Sequence, residues 1–462
     1  MLKLNTLSLS NLRGDLLGGL TAAVVSLPLA LTFGVASGAG AEAGLYGAIL
    51  IGLFTALFGG TATLISEPTG PMTVVMTAVI STLVAANPEN GLSMAFTVVI
   101  MAGIFQIVFG YLRLGKYITL MPYAVVSGFM SGIGFILIIL QIAPALGQSP
   151  PAGGVVGTVS HLPDLIMNVH FSELLLFLVT LGVLFKTPEK YKKFVPPQLI
   201  ALVLITLVSV IIFSSDGVQR IGEIDVSLPS MTLPYFTYDQ LQIMLVDAMV
   251  LGMLGCIDSM LTSVVADNLT RTEHDSNKEL FGQGLGNIMS GLFGGLPGAG
   301  ATMGTVVNIQ SGGRTPLSGV IRVLALAIAV FGAGSLIENI PLAVLAGIAV
   351  KVGVDILDWS FIKRVHLVSK YSTMIMYAVL LLTVFVDLIV AVGVGVFVAN
   401  VIIIRKLSDV EAEKVRSMSD VDDEIPLTPE QQSLLNEANG RILLVYLSGA
   451  MIFGVSKALA RE

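Results

Sequence analysis

The chain has 462 residues, of which 54% are hydrophobic and only 12% are charged. Soluble domains carry about 25% charged residues, so this composition, with a mean hydropathy of +0.89, excludes a soluble globular protein. The net charge of −7 and the scattered basic residues argue against nucleic-acid binding, and the single cysteine, Cys256, excludes an internal disulfide and a thiolate zinc site.

Apolar runs near 20 residues recur along the chain from Leu16 to Ile404, the length that spans about 30 Å of hydrocarbon. They predict an all-α polytopic membrane protein with about fourteen spans. In the first half we expect spans at residues 16–37, 41–60, 61–86, 93–112, 118–146, 173–185 and 197–213. In the second half we expect spans at residues 241–265, 280–295, 296–310, 317–336, 342–356, 373–386 and 389–404.

Two of these segments are interrupted. Residues 67–75 read EPTGPMTVV, residues 298–307 read GAGATMGTVV, and each stretch follows an LFGG sequence. Glycine is a poor helix starter, so we expect each segment to begin extended and to become helical midway, in the second case near Thr302. Interrupted segments in corresponding positions of two halves are the best sequence indication of a transporter's binding site.

The positions of the basic residues predict the orientation. With this span count, the connections rich in Lys and Arg lie on the same side as Lys3 and Arg13, whereas the long connections 147–172 and 214–240 carry only Arg220. By the positive-inside rule, both termini are expected in the cytoplasm.

Seven spans per half invert the two halves, so the interrupted segments are expected to cross in opposite directions, with their helix N-termini facing each other. Each N-terminus carries roughly half a positive charge and free N–H groups. Together they predict an anion site without a buried arginine.

The composition changes after Arg405. We expect a transmembrane transport domain at residues 1–406, with repeats at about 13–215 and 241–405. Residues 407–439 are polar and acidic and are expected to form a solvated linker. Residues 441–447 are typical of a strand and 451–462 of a helix start, so 440–462 is expected to begin a cytoplasmic domain.

Four stretches resemble the SulP anion-transporter family. They are residues 67–73, 291–297, Asn308 with 311–315, and 340–348. Residues 255–258 (GCID) and 270–274 (TRTEH) are most similar to the bicarbonate-transporting members of cyanobacteria. The resemblance implies 7+7 inverted repeats, a core domain that moves against a gate domain, and a cytoplasmic α/β STAS domain that supports homodimers. Residues 440–462 look like the N-terminal fragment of that STAS domain.

A sodium site is predicted around Asp258, which lies deep in an apolar helix. A charged aspartate at mid-bilayer costs about 2.5–3.5 kcal/mol, and such residues usually line a pathway or bind an ion. Thr262 lies one turn later on the same face, and the Gly300 carbonyl and the Thr302 hydroxyl complete an all-oxygen shell. The structural alternatives are an Asp258 satisfied by hydroxyls or a lysine, and a Thr262 bonded to its own helix.

For the anion we expect Thr69 and Ala301, with Gly70 and Thr302 beside them. Thr69 offers a hydroxyl and an N–H at one half-helix, and Ala301 offers an N–H at the other. The alternative is that the two prolines beside Thr69 merely kink a helix. Some animal members of the family place an arginine where this chain has Gly304, so sodium would supply the missing positive charge.

Other polar residues in the apolar segments have less specific expectations. Glu67 either binds a cation or caps the backbone, and Asn308 bonds between helices. Lys351, Asp355 and Asp387 are expected to be snorkelling or turn residues at span ends.

These observations predict a sodium-coupled bicarbonate symporter in a bacterial inner membrane, with one sodium and one bicarbonate per cycle, no enzyme activity and no cofactor besides the coupling ion. Three alternatives remain: a SulP carrier for sulfate or a dicarboxylate, a uracil- or xanthine-type carrier, and an anion channel or electromotile protein. A membrane hydrolase is disfavoured, because no serine or cysteine has a histidine suitably placed to activate it.

Overall fold

The structure is a computed structural model that describes residues 4–115, 123–151, 153–188, 196–213, 217–222, 230–368, 370–386, 391, 394–395, 397–398, 401, 416–418, 427–438 and 444–446. The chain forms two compact units, Met1–Ala391 and Val392–Glu462.

Over its described residues, the first half of the larger unit forms helices and one short strand. In chain order it contains α1 Leu12–Ser37, α2 Ala41–Phe58, β1 Ser66–Glu67, α3 Gly70–Ala86, α4 Gly91–Tyr111, α5 Tyr123–Leu140, α6 Ile142–Ala145, α7 Gly154–Ser160, α8 Leu162–Met167, α9 Phe171–Lys186 and α10 Pro197–Ile212.

The second half repeats this pattern. It contains α11 Tyr238–Thr270, α12 Ser276–Leu292, β2 Ala299–Gly300, α13 Thr302–Gln310, α14 Pro316–Ile337, α15 Leu342–Ile356, α16 Trp359–Val368 and α17 Lys370–Phe385. Five described segments, α1, α2, α4, α5 with α6, and α11, are long and apolar enough to cross a membrane.

Most expected spans coincide with a helix, and the structure adds detail at three places. Over its described residues from Tyr123, the span expected at 118–146 is α5 followed by α6, with a break at Gln141, and together they form one apolar segment long enough to cross a membrane. The connection expected at 147–172 contains α7 and α8. Helix α16 was missed because it is amphipathic and carries charged residues, so it gives no apolar run. The last expected span, 389–404, and Asp387 lie largely outside the described residues.

The two interrupted segments begin as expected. Strands β1 and β2 pair antiparallel, with Ser66 opposite Gly300 and Glu67 opposite Ala299. Helix α3 then begins at Gly70 and α13 at Thr302. Gly298 allows this pairing, since a Cβ there would lie 2.3 Å from the Glu67 carbonyl oxygen. The prediction of extended lead-ins followed by half-helices is confirmed.

The helices of the larger unit pack in two groups. In the first helix group, α1–α4 with α11–α14, α12 packs on α4 and α2, α1 on α14, and α11 on α4. In the second helix group, α5, α9, α10, α15 and α17, α5 packs on α17 and α15, and α9 on α15 and α10. The groups meet chiefly where α1 contacts α15 and α3 contacts α5, so both interrupted segments belong to the first helix group.

The described part of the smaller unit contains β3 Arg416–Met418, α18 Pro429–Ala438 and β4 Leu444–Tyr446. Strand β3 pairs antiparallel with β4. The strand expected at 441–447 is confirmed over its described residues. The segment expected to be a linker, 407–439, includes β3 and α18 among its described residues, and the helix expected from 451 lies outside the described residues.

Candidate functional site

The two half-helix starts meet on one face of α11. The Thr69 hydroxyl, at the N-cap of α3, donates to Asp258 Oδ2 at 2.8 Å. One turn later, the Thr262 hydroxyl lies 2.8 Å from the Gly300 carbonyl oxygen and 2.8 Å from Thr302 Oγ1. Because a helical turn rises about 5.4 Å, the residues expected at the anion and sodium sites lie side by side.

Protein surrounds this cluster on nearly every side. Asp258 and Thr69 are each 8% exposed, Ala301 is 9% exposed and Thr262 is fully buried. Thr302, in contrast, is exposed. The cluster is therefore shielded from water except at the first residue of α13.

The oxygen atoms around Thr262 suit a monovalent cation. The Asp258 carboxylate, the Thr262 and Thr302 hydroxyls and the Gly300 carbonyl place four oxygen-bearing groups and one negative charge on this face of α11. Carbonyls of unwound backbone beside half-helices are typical sodium ligands in transporters. Thr262 does not bond back to its own helix but donates across to Gly300. Among the described residues, no group of three or more His, Cys, Asp or Glu is suited to a polyvalent metal.

The expected anion donors need a correction. The Ala301 N–H is not free, because strand pairing continues to this residue and the N–H donates to the Ile65 carbonyl at 2.8 Å. The Thr69 hydroxyl proton is likewise directed at Asp258. The donors without an intrahelical partner are the N–H groups of the first turns. These are Gly70 and Met72 on α3, and Thr302, Met303 and Gly304 on α13.

A buried arginine lies behind the strand pair, where it is paired with a carboxylate and does not belong to the expected anion site. Arg322 on α14 is fully buried and forms an ion pair with Glu67, which is 2% exposed. Its Nη1 also donates to the carbonyl oxygens of Ser66 at 3.1 Å and Ala48 at 3.2 Å. Glu67 is therefore neither a backbone cap nor a free cation ligand in this conformation. An arginine inside an apolar segment was the available signal.

The Arg322 charge is directed at the back of strand β1. Its guanidinium binds Glu67 Oε2, whereas Glu67 Oε1 has no hydrogen-bond partner. A Cβ at Gly304 would lie 3.4 Å from Oε1, so this oxygen faces the first turn of α13. The ion pair thus fixes the strand and places a carboxylate oxygen beside the half-helix.

A line of buried polar residues on α12 holds the non-helical backbone. Glu279 Oε2 accepts from the Gly60 and Thr61 N–H groups, each at 2.8 Å. Asn287 exchanges two hydrogen bonds of 2.9 Å with the backbone of Gly298. Irregular backbone at membrane depth is tolerated only where protein satisfies its polar groups. Sequence reasoning missed this role, although the polar residues recur at helical spacing.

Asn308 bonds between segments, as expected. Its Nδ2 donates to the Thr63 carbonyl and to Ser318 Oγ, each at 2.9 Å. These contacts join α13 to the lead-in of α3 and to the start of α14, so Asn308 fixes the half-helix rather than facing the oxygen cluster.

Comparisons with known proteins agree with this architecture. The chain is 65% identical over 458 residues to the bicarbonate transporter BicA of Synechocystis sp., covering 99% of this chain and 81% of that protein. It is 63% identical over 462 residues to BicA of Picosynechococcus sp., with coverages of 99% and 82%. The structure matches the transmembrane domain of a cyanobacterium bicarbonate transporter BicA with a TM-score of 0.81 and 66% identity, over 84% of this chain and 100% of that one.

A sequence model of the sulfate permease family matches residues 12–379, more than half of the chain. The expected resemblance is thereby confirmed. The chain belongs to the sulfate permease (SulP) family of multi-pass membrane transporters.

Proposed function

We propose that this protein is a sodium-coupled bicarbonate symporter that works by alternating access. The observation that carries the proposal is the convergence of both half-helix starts on Asp258 and Thr262. The two relatives described above, at 65% and 63% identity, are named bicarbonate transporters. All these relatives are named as transporters, in agreement with the expectation that the chain is not an enzyme.

Sodium would bind to the oxygens of Asp258, Thr262, Gly300 and Thr302. Bicarbonate would bind beside it, at Thr69, Gly70, Ala301 and Thr302. The first-turn N–H groups of α3 and α13 would be its donors, since the Ala301 N–H is paired in this conformation. A helix N-terminus favours an anion.

The coupling of sodium to bicarbonate follows from their opposite charges. The anion would have two half-helix N-termini beside it, whereas Arg322, the buried cation near them among the described residues, is paired with Glu67. A bound sodium supplies the missing charge next to Asp258, so each ion stabilises the other. One sodium with one bicarbonate moves no net charge, and a tenfold sodium gradient supplies about 1.4 kcal/mol.

The packing supports a core-and-gate movement. All residues assigned to the two ions lie in the first helix group, which meets the second helix group over a limited set of helices. Movement of the first group against the second would carry both ions together. The distribution of Lys and Arg supports cytoplasmic termini in a bacterial plasma membrane. The β3–β4 pair supports the start of a STAS domain, through which the chain would form homodimers.

The test is uptake of labelled bicarbonate and of radioactive sodium into proteoliposomes, with and without an inward sodium gradient. Mildly alkaline buffer and short times limit the leakage of carbon dioxide, and the sodium signal is independent of it. Asp258→Asn removes the negative charge from the oxygen cluster. Asp239→Asn is the matched control, because Asp239 is an exposed aspartate on the same helix.

We expect sodium-dependent uptake of bicarbonate by the wild type and by Asp239→Asn, and its loss in Asp258→Asn. Bicarbonate uptake that is indifferent to sodium and to Asp258 would overturn the symport mechanism. Uptake of sulfate in place of bicarbonate would overturn the substrate assignment. A current that persists without sodium would indicate a channel-like member.

A further inference from the structure

A cavity of about 490 Å³ lies between the two helix groups. Met303, Val307 and Gln310 of α13 line it on one side, and Gln198, Lys351 and Asp355 line it on the other. Gln198 Nε2 lies 3.7 Å from Met303 Sδ, next to the exposed Thr302. The cavity therefore extends from the start of α13, beside the proposed ion sites, along the length of this half-helix.

Lys351 brings a positive charge into this cavity. Its Nζ lies 2.6 Å from Asp355 Oδ2, one turn later on α15, and 5.3 Å above the ring of Phe185. The two charged side chains are 19% and 34% exposed, so the pair is partly hydrated. The sequence expectation of snorkelling residues was therefore incomplete, because both side chains line a cavity.

The pair is of a kind that another anion can displace. An acidic residue N-terminal to a lysine at i, i+4 is the more favourable order on a helix, and here the lysine comes first. Partly exposed ion pairs contribute little stability. Asp355 also belongs to the same helix as Lys351, so breaking the pair separates no helices.

The cavity at the opposite end of α1 differs from the first in the charge of its lining residues. A second cavity, of about 360 Å³, is lined by the C-terminal end of α1. Thr21 and Val25, which lie nearer the start of α1, line the first cavity. Gln141, Gln148 and Gln219 line this second cavity, and none of its described lining residues is charged. Of these two cavities, the first alone has a positively charged side chain among its described lining residues.

We propose that Lys351 is a second, transient binding site for a small oxyanion such as bicarbonate, which replaces Asp355 as its partner on the way between the half-helix site and the solution. This inference rests on the proposed function. Lys351 belongs to the second helix group, whereas the half-helix site belongs to the first helix group, which moves. When this cavity is open, the positive charge of Lys351 attracts the anion away from the half-helix site. Removal of Lys351 therefore affects the kinetics of transport measured from this side of the membrane only.

The test uses the charge of a cysteine adduct. The native Cys256 is fully buried, so a thiol introduced by Lys351→Cys is the accessible one among the described residues. We expect Lys351→Cys to raise the KM for bicarbonate from the cavity side by about two- to fivefold, as for the loss of one screened charge contact. Modification with the cationic aminoethyl methanethiosulfonate restores the KM, and the anionic sulfonatoethyl reagent does not. Lys363→Cys, at an exposed position on α16, is the matched control.

A second measurement needs no transport. Bicarbonate with sodium should slow the modification of the thiol at position 351 and leave that at position 363 unchanged. If wild type takes up bicarbonate but neither the variant nor its adducts change the KM, and bicarbonate gives no protection, this inference is wrong and the proposed function stands. If wild type shows no uptake, the proposed function fails, and protection of position 351 by bicarbonate still decides this inference.

Discussion

Loss of Arg322 is expected to be among the most destabilising single changes in the described chain. Arg322→Met removes the positive charge that faces Glu67, and the carboxylate is only 2% exposed, so water cannot replace the arginine. Breaking a buried ion pair by removing one partner costs about 3–5 kcal/mol. Methionine fills most of the same volume, so the cost arises from the uncompensated charge rather than from a cavity.

The double variant Arg322→Met with Glu67→Met separates charge from packing. Replacing both partners of a buried pair by apolar residues is often close to neutral. The remaining loss comes from the Ser66 and Ala48 carbonyls, which no longer have the Arg322 donor, at about 1–3 kcal/mol in total. We therefore expect the double variant to be more stable than Arg322→Met alone by about 2 kcal/mol.

The measurement is the free energy of unfolding in mixed detergent micelles, followed by circular dichroism, for the wild type, both single variants and the double variant. Lys351→Met is the control, since its partly exposed pair with Asp355 should contribute about 0–1 kcal/mol. If the losses of the two single variants add within about 0.5 kcal/mol in the double variant, the two side chains are not coupled and the reasoning is refuted.

Two further predictions concern backbone contact and pH. In Gly298→Ala the new methyl would lie 2.3 Å from the Glu67 carbonyl oxygen, so the strands must separate and sodium-dependent uptake should be lost. Gly182→Ala, where nothing lies within 4 Å, should retain uptake, and equal uptake by both variants would contradict the strand argument. Asp358, in the connection between α15 and α16, has a lowered pKa, because hydrogen bonds from Tyr123 and other donors outweigh the effect of burial, which alone would raise it. A lowered pKa stabilises the fold above the unfolded value of about 3.9. Asp358→Asn should therefore lower the thermal midpoint of unfolding at neutral pH. The difference in midpoint between wild type and variant should shrink as the pH falls through the lowered pKa. A difference in midpoint that does not change with pH would exclude this account.

The sequence by itself determined the class of protein, the position of most helices and the two interrupted segments. These features are encoded locally. An apolar run of sufficient length favours a membrane-spanning helix, and glycine disfavours helix where it stands, so neighbouring residues suffice to predict them. The positions of Asp258 and Thr262 on one face also follow from helical spacing alone.

The tertiary structure decided which of these residues meet. Thr69 and Asp258 are 189 positions apart, and Glu67 and Arg322 are 255 apart, so no local pattern pairs them. The register of β1 with β2 directs the Ala301 N–H to Ile65 and leaves the next N–H groups as donors. A one-residue change of register reverses which groups are paired, and that choice depends on packing across the whole bundle.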